Sequence, residues 1–124
     1  MTIAYGCVFV SIFIPLVFAG YAKFGSKGYD NRVPREFLDK VQGKYKRAHY
    51  VQLNSYEAFP PFAAGVIIAH NCGALQSQVD TLAIAFVIFR ILFGIFYVID
   101  QHQLRSVVWF LSFACISGLF VISF

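Results

Sequence analysis

Charge is scarce in this sequence. Only 13% of its 124 residues are Asp, Glu, Lys or Arg, against about a quarter in an average soluble domain. The stretch Ser106–Phe124 carries no charge at all. Cysteine is thin as well. Cys7, Cys72 and Cys115 form no Cys-x-x-Cys pair and lie in or at the edge of apolar runs. That pattern argues against a metal centre or a disulfide framework and for inert, buried thiols. No Lys or Arg precedes the first apolar run and no small-x-small cleavage pattern follows it, which disfavours a secretory signal peptide. No inverted repeat is visible, which weighs against a small transporter. Nor do aromatic and basic residues interleave, so a nucleic-acid partner is not expected.

What the chain has in excess is apolar surface: 59% of its residues are hydrophobic. These concentrate in four blocks, Ile3–Ala22, Tyr50–Cys72, Val79–Ile99 and Ser106–Phe124. A helix rises about 1.5 Å per residue, so some 20 residues cross roughly 30 Å of hydrocarbon. The expectation is therefore an all-α fold, an integral membrane four-helix bundle forming a single domain over 1–124. Its spans fall at about 3–22, 47–72, 79–99 and 105–124, with a polar loop over 23–46.

The basic residues orient it. Eight of the ten Lys and Arg residues lie between Lys23 and Arg47, and the connection Asn71–Gln78 has none. The positive-inside rule puts the first and third connections in the cytoplasm and both termini on the opposite side. Anionic headgroups account for the basic loop without further partners. Within that loop, Gly25, Gly28 and Pro34 predict an irregular start. Phe37, Leu38 and Val41 then have helical spacing, and the next long helix should begin near Lys44. Pro60-Pro61 should kink that helix midway.

Asn54, Glu57 and Arg90 stand out because ionisable or polar groups inside a span cost from about 2.5 to over 10 kcal/mol at the bilayer centre. At about 100° per residue, Arg47, Asn54 and Glu57 lie within roughly 80° of one another. Arg90 and Tyr97, seven apart, share a face of the next helix, and Arg105 opens the last helix at the same level. Spacing leaves two readings open. Glu57 and Arg90 pair and brace two helices, or the group lines a cavity. Three arginines suit a ligand with carboxylates, because guanidinium forks bind carboxylates bidentately. His49, His70 and His102 are scattered and form no ligand cluster, and Trp109 reads as a lipid-facing or core residue.

The run RAHYVQLNSYEAFPPF, Arg47–Phe62, resembles the second helix of the MAPEG family, membrane-associated proteins in eicosanoid and glutathione metabolism. The matching points are Arg47-Ala48, Asn54, Glu57 and Phe59-Pro60. DNRVPRE, Asp30–Glu36, is similar to the first loop of bacterial members, and Arg90, Tyr97 and Leu104-Arg105-Ser106 resemble the third-helix face and fourth-helix start. Phe93, one turn from Tyr97, stands where many eukaryotic members carry a hydroxyl group. The resemblance implies a homotrimer with glutathione as co-substrate, bound between subunits near the cytoplasmic face. Arg47, Asn54, Glu57, Arg90 and Tyr97 would hold it, and Arg105 would stabilise its thiolate. The implied activity is a transferase or peroxidase acting on lipophilic electrophiles or lipid hydroperoxides in a bacterial inner membrane. The alternative is a non-catalytic protein of the same scaffold that binds lipid or supports assembly.

Overall fold

The computed structural model describes the whole chain, Met1–Phe124. It has five helices and no strand: α1 (Ile3–Gly25), α2 (Pro34–Lys40), α3 (Gly43–Asn71), α4 (Gln76–Val98) and α5 (His102–Val121). The four long helices fall on the four expected apolar blocks, with α3 starting seven residues ahead of its block and α5 ending three residues short of its own. The polar loop contains the short α2, which starts at a proline in the first helical position, where a missing N–H costs nothing. α3 runs through Pro60-Pro61 without a break.

α1, α4 and α5 are each long and apolar enough to cross a membrane. α3 is the longest helix, at 29 residues, but Arg47, Gln52, Asn54, Glu57 and His70 make it the most polar of the four. α4 packs against α1, α3 and α5, and α1 also packs on α3, whereas α1 and α5 do not meet. Where α3 faces α5 the contact is sparse, and a cleft opens between them over α4.

The main core lies around a stacked Phe62–Phe86 pair with ring centroids 3.8 Å apart. Small residues let the helices close: the tip of the Phe18 ring of α1 sits against Gly94 of α4, where any side chain would collide with the ring. Large apolar side chains such as Phe9, Val17, Ile88, Phe110 and Val121 point outward, as a lipid solvent permits.

The helix ends are explicitly closed. At the start of α1, Thr2 Oγ1 accepts from the Tyr5 N–H at 3.1 Å, and Asp80 Oδ1 of α4 accepts from the Ala4 N–H at 2.9 Å. α3 ends on Gly73 at φ 76°, with the Gly73 and Ala74 N–H groups returning to the His70 and Ala69 carbonyls. α2 is tied to α3 by Lys46 Nζ, which donates to the Leu38 and Asp39 carbonyls, and by Leu38, buried beside Ala22 and Ala48. Ahead of it, the Arg32 side chain and backbone N–H donate to Asp30 and hold its carboxyl below the usual carboxylate range.

Candidate functional site

The start of α3, the end of α4 and the start of α5 lie together at the end of the bundle that carries the basic loop. The link is direct: Arg47 Nε and Nη2 both donate to the Val98 carbonyl, at 3.1 and 3.0 Å. From this end a two-lobed cleft runs along the bundle. The outer lobe, about 210 Å³, is lined by Asn54, Phe93, Tyr97, Arg105, Ser106, Trp109 and Phe110. The inner lobe, about 140 Å³, is lined by Glu57, Pro61, Arg90, Ser112, Phe113 and Ile116 among others. Asn54 and Trp109 line both lobes. Together they reach the lower end of the roughly 300–1,000 Å³ range of small-molecule sites.

Arg90 forms the floor. Its side chain is buried, 3% exposed, one nitrogen donates to Asn54 Oδ1, and the guanidinium lies 4.4 Å from the Phe93 ring centroid. Glu57 lines the same lobe but is exposed. The ion pairs of the chain are Arg32–Asp30 and Lys40–Glu36, with His49 Nε2 3.9 Å from Asp39 Oδ1, and none joins Glu57 to Arg90. The acceptor on Arg90 is thus a neutral amide, and the Glu57 carboxylate stays available at the mouth of the inner lobe.

Arg105 is held differently. Its guanidinium stacks over the Tyr97 ring at 4.3 Å, a geometry that uses the flat face and leaves the N–H edge free. No protein acceptor engages that edge, and Arg105 lines the outer lobe together with the Tyr97 phenol. Further along α5, Trp109 stacks on Phe113 at 5.7 Å and meets Phe110 edge-on at 5.1 Å. The cleft therefore combines cationic and polar groups from three helices, Asn54 and Glu57 of α3, Arg90 of α4 and Arg105 of α5, with aromatic rings on α5.

Five of the six residues expected at a site converge here: Asn54, Glu57, Arg90, Tyr97 and Arg105. Arg47 does not line either lobe, because the Val98 carbonyl takes its guanidinium. Trp109 and Ser112 also line the cleft, where the sequence reading has Trp109 as a lipid-facing or core residue and does not single out Ser112. Their signal was available: Arg105, Trp109, Ser112 and Ile116 recur at helical spacing on one face of α5. Groups of His, Cys, Asp and Glu that could hold a metal ion are absent.

Fold and cleft together define a helical, membrane-type protein with a cationic pocket between two of its long helices. The sequence model of the MAPEG family matches residues 1–124, and the chain belongs to that family. No curated protein and no solved structure matches it.

Proposed function

We propose that this protein is a membrane-bound glutathione-dependent transferase or peroxidase acting on lipophilic electrophiles or lipid hydroperoxides. One observation carries the reading: two guanidiniums, Arg90 and Arg105, line one cleft with Asn54, Glu57 and Tyr97, beside an aromatic surface of α5. Glutathione brings two carboxylates, an ammonium group and a thiol. Arginine edges suit the carboxylates, and the free Glu57 carboxylate suits the ammonium group.

Arg105 is the residue we assign to the sulfur. A free thiol of pKa about 8.5 is mostly protonated at neutral pH, and a guanidinium beside it favours the thiolate. The thiolate then forms a bond to an electrophilic carbon while the displaced group leaves with its electron pair. In the peroxidase variant it attacks a peroxide oxygen, the O–O bond breaks, the alkoxide leaves and takes a proton, and a second glutathione thiol displaces water from the sulfenic acid to give the disulfide. Trp109, Phe110 and Phe113 offer the lipophilic partner an apolar surface. Catalysis here is positioning plus one electrostatic effect.

The same proposal takes α3 as a fourth span and the protein as a homotrimer in a bacterial inner membrane, basic loop inward. Support comes from α3 itself. Leu53, Tyr56 and Glu57 are exposed along it, and a carboxylate facing lipid is costly, so a second copy covering this face removes the cost. The scaffold reading, without catalysis, also has support, because Arg47 and Arg90 already donate to protein acceptors.

The deciding experiment adds glutathione to purified protein and follows the thiolate's ultraviolet absorption. Wild type should develop the band, and Arg105→Ala should lose most of it. Wild type without band or binding would overturn the enzyme reading. Glutathione binding unchanged by Arg105→Ala would remove Arg105 from its role.

A further inference from the structure

Three serines are buried in the bundle: Ser11, Ser55 and Ser112. In an apolar helix a hydroxyl normally turns back to a carbonyl one turn earlier. Ser11 does so, donating to the Cys7 carbonyl at 2.8 Å, and Ser112 donates to the Trp109 carbonyl at 2.8 Å. Ser55 does not. Its Oγ is the one buried side-chain nitrogen or oxygen without a hydrogen-bond partner in the protein, and its residue is 7% exposed. Leaving such a group unpaired costs about 1–3 kcal/mol.

Ser55 faces a small pocket of about 10 Å³ on the side of Arg90 away from the cleft. Ser11 of α1, Ser55 of α3 and Arg90 of α4 line it, with Ile14, Phe59 and Phe86 among the apolar remainder. That volume matches the roughly 10–15 Å³ that a single water needs, and a buried water typically makes about three hydrogen bonds. Arg90 has five N–H donors, and Asn54 is its one protein acceptor. The donor and acceptor inventory of the pocket therefore closes around one water molecule.

We propose that this pocket is a structural water site, and that the water joins α1, α3 and α4 behind the Arg90 guanidinium. The water accepts from an Arg90 N–H and from the Ser55 hydroxyl, and donates to Ser11 Oγ, whose own proton is directed to the Cys7 carbonyl. Arg90 is then fixed from both sides, by Asn54 in front and by the water behind. Ser11 and Ser55 are positioning residues for Arg90 and have no contact with a ligand in the cleft. The site requires no particular ligand in the cleft, so its test stands whether or not the protein uses glutathione.

Two measurements test it. A structure of the full chain in lipid, at a resolution that resolves ordered water, should show one peak within hydrogen-bonding distance of Ser11 Oγ, Ser55 Oγ and an Arg90 nitrogen. A Ser55 hydroxyl turned onto the Val51 carbonyl with no such peak would overturn the site. Independently, Ser11→Ala and Ser55→Ala should each lower the unfolding temperature, while the double variant should fall little further than the worse single one. Two residues on separate helices with no hydrogen bond between them couple in this way through a shared water. Fully additive losses would overturn the proposal.

Discussion

A side chain with five donors, 3% exposed, makes Arg90 the most demanding residue in the bundle. Asn54 is its direct partner, so removing that amide leaves a buried charge less well matched. Asn54→Leu should destabilise the protein by about 2–3 kcal/mol, read from denaturant or thermal unfolding in detergent. Glu57→Gln should not destabilise the protein, because Glu57 is exposed and pairs with nothing in the chain, and a neutral amide is cheaper than a carboxylate within a span. The reverse ranking would mean that a Glu57–Arg90 pair braces the helices. Spacing alone put Asn54, Glu57 and Arg90 on facing stripes and left that pairing open. The choice of Asn54 over Glu57 follows from how deeply each side chain sits, which periodicity does not encode. Trp109 reads as lipid-facing or core from its type alone, and only its helical spacing from Arg105 marks the cleft it lines.

At the scale of elements, the corner between α4 and α5 decides where Tyr97 and Arg105 meet. α4 ends in a left-handed residue, Asp100 at φ 64°, with the Asp100 and Gln101 N–H groups bonded to the Tyr97 and Phe96 carbonyls. Glycine is the usual occupant of that position. Asp100→Gly should therefore raise stability by about 0.5–1 kcal/mol, measured by the unfolding midpoint, since relief of the left-handed strain outweighs the added freedom of the unfolded chain. The remaining terminal carbonyl, Val98, belongs to Arg47. Arg47→Gln should cost about 1 kcal/mol, a value reduced from that of a buried charged hydrogen bond because Arg47 is half-exposed. If Arg47 also gripped a ligand directly, the loss of ligand affinity would far exceed the change in stability. The existence and order of the long helices were legible from hydropathy, and so was a helix within the loop. Arg47's partner was not, because it lies 51 positions away in sequence and meets it only once α3 and α4 pack antiparallel.

The whole molecule is polarised along its long axis. Eight basic residues crowd the end where α3 starts, α4 ends and the outer lobe of the cleft lies. The other end, where α3 turns into α4, has no Lys or Arg between Asn71 and Gln78 and carries the exposed Cys72. By the positive-inside rule this asymmetry would place the basic end on the cytoplasmic side, the orientation proposed above. In that orientation, and under the proposed function, the outer lobe next to Arg105 would draw a soluble thiol from the cytoplasm. Cys72 is a natural reporter of this arrangement, because Cys115 is buried and Cys7 lies within α1, partly covered. In a Cys7→Ser, Cys115→Ala background, a membrane-impermeant maleimide should label Cys72 in intact cells. In the same background with Cys72→Ser, a cysteine introduced as Ser26→Cys in the basic loop should label only in inverted vesicles. The opposite pattern would turn the molecule over and place the cleft's outer lobe away from the cytoplasmic thiol pool, which would remove the physical basis for glutathione entering at Arg105.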